Sequence, residues 1–105
     1  MTNTEAHYNE IASQLAEEGA VPSQMFGMPT LKIKGKAFAG LTGEAMVFKL
    51  TGEAHSRALA TKGAKLFEPM AGRPMKEWVV VPLTSANLWP SIAKEALDYV
   101  ARLRK

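Results

Sequence analysis

The chain has 105 residues, 47% of them hydrophobic and 22% charged, which is typical of one soluble globular domain over 1–105 and short for two. It contains no cysteine, so disulfides, thiolate metal sites and thiol catalysis are excluded. No apolar run approaches the roughly 20 residues of a membrane helix, and the acidic N-terminus lacks the pattern of a signal peptide. We therefore expect a cytoplasmic protein.

The net charge of +3 is too small to indicate a nucleic-acid-binding protein by itself, but the charge is unevenly distributed. Residues 1–31 contain four glutamates and no lysine or arginine, which gives −4. Residues 32–105 hold all 13 basic residues against six acidic ones, which gives +7. Such a contrast can steer an acidic partner toward one side of a molecule, and it is also common in proteins without one.

The first predicted element is an amphipathic helix. Thr2 followed by Glu5 has the form of a capping box, and apolar residues then recur at helical spacing until Gly19 and Pro22 interrupt the pattern. The apolar positions are Tyr8, Ile11, Ala12 and Leu15. The residues that follow, up to 24, are predicted to form a linker.

Three strands are predicted next. From residue 28 the hydrophobic period changes to two, with Leu31 and Ile33 on one face, which indicates a half-buried strand. Its outward, polar positions are Thr30, Lys32 and Lys34. Gly35 marks the turn into a second strand over 36–41, and a third strand follows over 45–50.

The pentapeptide LTGEA occurs at 41–45 and again at 50–54, too closely spaced for a structural repeat. The first copy is predicted to join two strands. The second begins a helix, with Thr51 as its cap and Glu53 near the positive end of the helix dipole. This helix would turn Ala54, Ala58 and Leu59 inward and end at Gly63.

The last part of the chain predicts two strands and a long helix. A short extended piece around Leu66 precedes a loop rich in proline and glycine, and 77–81 reads as a strand that is apolar on both faces. A helix then runs to about Arg104, with Pro90 in its first turn. Its buried stripe is Trp89, Ile92, Ala93, Ala96, Val100 and Leu103.

These elements predict an α+β fold. We expect a two-layer domain in which an antiparallel sheet of four or five strands packs with helices, in the order α-β-β-β-α-β-β-α.

Six features occur in a set order along the chain. They are Met25-Phe26-Gly27 before a strand, a glycine hairpin followed by Phe38, VFKLT before a short helix, Phe67-Glu68-Pro69-Met70 with Gly72-Arg73-Pro74-Met75, Val81-Pro82, and the spacing from Trp89 to Ala96. As an ordered set over about 25–103, they resemble the N-terminal domain of the TfoX family of competence regulators. One departure is Met28-Pro29, where many members have a second glycine after Gly27.

The resemblance implies a two-layer α+β domain with an antiparallel sheet, found alone or joined to a second helical domain. In some members it is associated with the regulation of DNA uptake. Because the sequence ends at Lys105, we expect no second domain, and a role in competence is not transferred.

Basic residues form the first candidate site. Lys32, Lys34, Lys36 and Lys49 are predicted to share the exposed face of the sheet, where they could contact phosphates. Solvated strands also use lysine to remain soluble and to discourage edge pairing. No aromatic residue alternates with these lysines, as a base-stacking platform would require.

A second group of cations lies in the loop 72–76. With Arg57 from the second helix, Arg73 and Lys76 could hold a carboxylate or a phosphate, although Arg73 could equally bind carbonyls of its own loop. The candidate anion contacts are therefore Lys32, Lys34, Lys49, Arg57, Arg73 and Lys76.

Six methionines are many for a chain of this length. Filling irregular gaps in a core is the commoner use of this side chain, and Met46 is predicted to do so. The methionines near the two hairpins could instead form an exposed apolar patch, and such patches mark interfaces. The candidate interface is Met25, Phe26, Met28, Met70 and Met75.

Catalysis finds little support in the sequence. His55 and Ser56 are adjacent in a helix and so point to different sides, and His7 has no second histidine at metal-ligand spacing. Asp98 is predicted to pair with Lys94 or Arg102 on the wet side of the last helix. No motif indicates a metal or another cofactor.

The sequence therefore predicts a non-enzymatic regulatory or protein-interaction module of the TfoX N-terminal type. Its partner would be an unidentified protein or a second copy in a homodimer. The alternative is a nucleic-acid-associated domain that uses Lys32, Lys34 and Lys49. We expect no membrane contact.

Overall fold

The computed structural model describes residues 3–25, 28–42, 45–70 and 73–102, with the side chains of 3, 25, 69–70 and 73–76 left undescribed. The elements in chain order are α1 (Asn3–Ala16), β1 (Val21–Met25), β2 (Met28–Ile33), β3 (Lys36–Thr42), β4 (Ala45–Lys49), α2 (Gly52–Leu59), β5 (Lys65–Met70), β6 (Arg73–Pro82), a 3-10 helix (Leu83–Leu88) and α3 (Trp89–Arg102). Among the described residues, no helix is both long and apolar enough to cross a membrane.

The six strands form one antiparallel sheet in the order β1-β2-β3-β4-β6-β5, which confirms the predicted α+β class. The sheet has one strand more than expected, because the residues taken as a linker form β1. Val21 pairs with Lys32 and Met25 with Met28. The segment VPSQM has no clear alternation and contains a proline, which is tolerated here because β1 is an edge strand.

One face of the sheet packs against all three helices and forms the main core. Trp89 is fully buried at its centre, and its indole N–H donates a 3.2 Å hydrogen bond to the Val81 carbonyl oxygen. In β3, Ala37 pairs with Lys32 and Ala39 with Leu31, which leaves Phe38 as an inserted residue. This bulge lets Phe38 and Ala39 both enter the core. The strands add Leu31, Ile33, Leu41, Met46, Phe48, Val79 and Val81, and the helices add Tyr8, Ile11, Leu15, Ala58, Ile92, Ala93, Ala96, Leu97 and Val100.

The opposite face, here called the second face, carries a smaller apolar cluster. Its buried members are Met28, Val47, Phe67 and Trp78, with Ala37 and Val80 packed against them. The prediction that 77–81 is apolar on both faces is thus confirmed, since Trp78 faces this cluster and Val79 the main core.

Thr30 also lies in the sheet interior, and its predicted exposure to water is wrong. It is 0% exposed, and its hydroxyl donates a 3.1 Å hydrogen bond to the Met28 carbonyl oxygen. A two-residue period identifies which face a side chain occupies, but not whether that face is covered.

Two predictions about α2 need correction. Leu59 is 36% exposed, whereas Ala58 is buried and Ala54 packs against the core as predicted. Thr51 occupies the cap position with extended backbone, φ −149° and ψ 165°, but its side chain makes no capping hydrogen bond. Leu103 of the last helix lies outside the described residues.

Candidate binding groove between two helices

The predicted lysine face of the sheet does not form. Lys34 occupies the β2–β3 turn with φ 54°, and its amine donates a 3.5 Å hydrogen bond to the Ala101 carbonyl oxygen of α3. Lys36 pairs with Ile33, a core residue, and cross-strand partners share a face of the sheet. Only Lys32 and Lys49 of the four therefore lie on the second face, since the two-residue turn in left-handed backbone at Lys34 and Gly35 breaks the alternation.

Lys49 has a partner on the neighbouring strand β6. Its ammonium lies 3.8 Å from a carboxylate oxygen of Glu77, and 26% of its side chain is exposed. Arg73 and Lys76 belong to strand β6, and not to a loop as predicted. Their side chains lie outside the described residues, so the predicted anion clasp stays a prediction.

The candidate methionine interface is only partly described. Met28 is 7% exposed and belongs to the buried cluster of the second face, so it contributes little surface. Met25 lies at the β1–β2 turn, whereas Met70 and Met75 belong to the β5–β6 hairpin at the other edge of the sheet. The side chains of these three methionines, and the whole of Phe26, lie outside the described residues.

The histidines occupy separate places. The ring of His7 on α1 meets Trp89 edge-on, with centroids 5.7 Å apart and an interplanar angle of 80°. His55 lies on α2. Within the described part of the chain, no three His, Cys, Asp or Glu side chains gather as a metal site would need.

A groove lies between α2 and α3. It has a volume of about 190 Å³. It is lined on one side by Ala54, Arg57 and Ala58 of α2 with Thr61 just after that helix, and on the other side by Leu88 of the 3-10 helix with Ser91, Ile92 and Glu95 of α3. Alanine and serine side chains are too short to fill the space between the helices, and this leaves the groove open.

Leu88 makes one side of the groove unusually apolar for a surface. It is 40% exposed, although it is the last residue of the 3-10 helix and directly precedes the buried Trp89. The groove therefore combines an apolar floor of alanine and isoleucine with an apolar side wall that already faces solvent.

An ion pair lies at the rim of the groove. The Arg57 guanidinium donates a 3.0 Å hydrogen bond to the Glu95 carboxylate, and the two side chains are 63% and 34% exposed. Arg57, a candidate anion contact together with Arg73 and Lys76, here pairs with α3. Because exposed ion pairs contribute little to stability, these two groups can exchange partners at little cost.

A second, more polar cavity of about 460 Å³ continues from the groove along α3. Ala54 and Glu95 line both cavities, and Thr51, Asp98, Tyr99 and Arg102 complete the second. The Tyr99 hydroxyl donates a 2.7 Å hydrogen bond to Glu77. This bond, and then burial, raise the pKa of Tyr99.

The outer side of α3 connects it to α1. Lys94 donates a hydrogen bond to Glu18 in the turn that follows α1, and it lies 3.6 Å from Asp98 one turn along α3. These partners, Glu18 first, raise the pKa of the Lys94 ammonium. The predicted pairing of Asp98 with Lys94 is confirmed, and Arg102 donates a 3.1 Å hydrogen bond to the Asp98 carbonyl oxygen.

Comparison with protein-family models, with curated proteins and with solved structures finds no match for this chain. The resemblance to the TfoX N-terminal domain therefore stays a prediction from the sequence motifs.

Proposed function

We propose that this chain is a non-enzymatic regulatory or protein-interaction module of the TfoX N-terminal type, acting in the cytoplasm. The α2–α3 groove is its binding site, and the partner inserts one apolar side chain there. The observation that carries this proposal is the solvent-exposed Leu88 beside a floor formed by Ala58 and Ile92. Interfaces are dominated by a few apolar anchors in pockets of this kind.

A peptide display library selected on the folded chain tests the groove. We expect selected peptides to share an aromatic or aliphatic anchor residue. Replacing Leu88 with serine should weaken their binding about tenfold, because an anchor contact is worth more than about 1 kcal/mol.

The matched control is Leu59→Ser. Leu59 is 36% exposed, close to the 40% of Leu88, but it does not line the groove. Each variant loses a leucine of similar exposure, so a difference in peptide binding between them reports the groove and not nonspecific hydrophobic binding. Equal binding by Leu88→Ser and the unchanged chain would contradict the proposed site.

The homodimer version is tested by sedimentation equilibrium of the unchanged chain. A concentration-dependent dimer supports it, and a monomer at high concentration counts against it. A charged substitution in the candidate methionine interface, such as Met28→Glu, would not test the dimer. Met28 is 7% exposed, so a carboxylate there would destabilise the fold itself.

Nucleic-acid binding has weaker support, since Lys34 lies beside α3 and only Lys32 and Lys49 share the second face. A salt titration with duplex and single-stranded DNA measures it. Affinity that falls steeply with salt and drops in Lys32→Gln with Lys49→Gln would favour this alternative over the groove.

A further inference from the structure

We propose that the α2–α3 groove also binds a free apolar α-amino acid, of the leucine type, as a small-molecule ligand. The inference rests on the proposed function only in using the same groove. The ligand side chain would occupy the apolar floor, its carboxylate would meet Arg57, and its ammonium would meet Glu95.

The size of the groove limits the ligand. Its volume is about 190 Å³. This is below the roughly 300–1,000 Å³ of pockets for drug-sized ligands, so the groove itself matches a small ligand. One alkyl or phenyl group fits, and Ala58, Leu88 and Ile92 provide apolar contacts for it.

The charges at the rim complement a zwitterion. Arg57 and Glu95 place one cation and one anion 3.0 Å apart beside the apolar floor. In an α-amino acid, the ammonium nitrogen and carboxylate carbon are roughly 2.5 Å apart, as the N–Cα–C bond lengths and angle require. Each protein group can therefore exchange its present partner for the opposite charge of the ligand, and neither is left unpaired.

A peptide end matches the same rim less well. A C-terminal residue carries a carboxylate without an ammonium, and an N-terminal residue carries the reverse. Either end would separate Arg57 from Glu95 and would supply an opposite charge to only one of these two groups. Ser91 and Thr61 add hydroxyl groups beside the rim, which can accept or donate further hydrogen bonds to either ligand group.

The test is a titration of the full chain with L-leucine, followed by the methyl NMR signals of Ala58, Leu88 and Ile92. We expect these signals to shift with half-saturation at roughly millimolar leucine, which is reasonable for so small a ligand. Two analogues carry one charge each: 4-methylpentanoate lacks the ammonium, and 3-methylbutylamine lacks the carboxylate. Leucine should bind about tenfold more tightly than either, since charge-assisted hydrogen bonds are the stronger ones.

Glu95→Gln supplies the decisive variant. It retains the shape of the side chain and removes its charge, so leucine should bind it no better than 4-methylpentanoate does. Glu53→Gln is the control, because Glu53 is an exposed acid on α2 that does not line the groove. It should retain the preference for leucine.

Two results would overturn the inference: no methyl shift up to about 20 mM leucine, a concentration well above the expected affinity, or equal binding of leucine and its singly charged analogues. If leucine did not bind but peptides bound in a way that depends on Leu88, the proposed function would stand without the amino-acid site. Leucine binding without any peptide capture would remove the protein partner and retain the ligand site.

Discussion

Thr4, in the first turn of α1, is 1% exposed, and its hydroxyl has no hydrogen-bond partner among the described residues. An unpaired buried hydroxyl costs free energy on folding, because it loses its bonds to water. Thr4→Val keeps the shape and removes this group, so the free energy of unfolding should increase by about 1 kcal/mol in urea denaturation.

Thr30 is the matched control for this prediction. It is also buried, but its hydroxyl donates to the Met28 carbonyl oxygen. Thr30→Val should therefore decrease the free energy of unfolding by about 1 kcal/mol. If both substitutions changed stability in the same direction, the hydrogen-bond argument would be wrong.

The β2–β3 turn is a second residue-scale feature. Lys34 and Gly35 have φ values of 54° and 82°, the arrangement of a type I′ hairpin turn, which favours Asn-Gly. Lys34→Asn should increase the free energy of unfolding by about 0.5–1 kcal/mol, because asparagine tolerates left-handed backbone better than lysine does. The hydrogen bond lost to Ala101 is long and exposed, and so offsets little.

Lys36→Asn gives the comparison for this turn. Lys36 lies in β3, outside the positive-φ positions, and asparagine is disfavoured in strands. Thermal melts should show a higher Tm for Lys34→Asn and not for Lys36→Asn. A higher Tm for both variants would indicate that the lost lysine charge, and not the turn conformation, causes the change.

At the scale of elements, the second face packs through a close approach of β2, β3 and β4. A Cβ added to Gly40 would lie 2.9 Å from the Met28 Cε and 3.3 Å from both Val47 Cγ2 and the Pro29 carbonyl oxygen. The absent side chain of Gly40 therefore provides the space in which the Met28 thioether lies. This contact, and not surface exposure, is the evident use of Met28.

Gly40 and Met28 should be coupled energetically. Gly40→Ala overpacks this contact and should cost about 1–3 kcal/mol in the unchanged chain. In a Met28→Ala background, the same substitution should cost at least about 0.5 kcal/mol less, since residues in contact are not additive. A double-mutant cycle from urea denaturation measures this, and Met28→Leu, a change of similar volume, is the control. If the losses in free energy of unfolding from the two substitutions were additive, the contact with Met28 would not be the reason that Gly40→Ala is unfavourable.

The elements also show what sequence reasoning can reach. Alternation predicts β2 and β4, because Leu31 and Phe48 face a core that one layer of helices covers. The 77–81 part of β6 is predicted instead from a run that is apolar on both faces. β1 has no such pattern. It lies at the edge of the sheet, where its pairing with β2 holds it. The α2–α3 groove comes from short side chains on two helices distant in sequence, and no local pattern signals a space that is left empty.

At the scale of the molecule, three titratable groups among the described residues bind their protons more tightly in the folded protein. The pKa is raised for Tyr8 by burial, for Lys94 chiefly by Glu18, and for Tyr99 chiefly by Glu77. A raised pKa gives stability that is complete below the pKa of the unfolded chain and is lost as the pH rises through the folded value. The free energy of unfolding should therefore decrease above about pH 10.

Urea midpoints measured between about pH 8 and pH 12 test this alkaline loss. Tyr99→Phe removes one of the three groups, so its decline with pH should be shallower than that of the unchanged chain. The slope is compared, and not the stability at neutral pH, because losing the bond to Glu77 lowers stability at every pH. Stability that stays level beyond pH 10 would contradict the prediction.

The two tryptophans lie on opposite sides of the sheet, Trp89 among the helices and Trp78 in the cluster on the second face. Indole fluorescence can therefore be assigned to one layer at a time, by retaining Trp78 in Trp89→Phe or Trp89 in Trp78→Phe. Coincident transitions would mean that both layers melt as one unit. If the emission of Trp78 changed at a lower denaturant concentration than that of Trp89, the second face would unfold first. The partly unfolded species would then be visible by fluorescence alone.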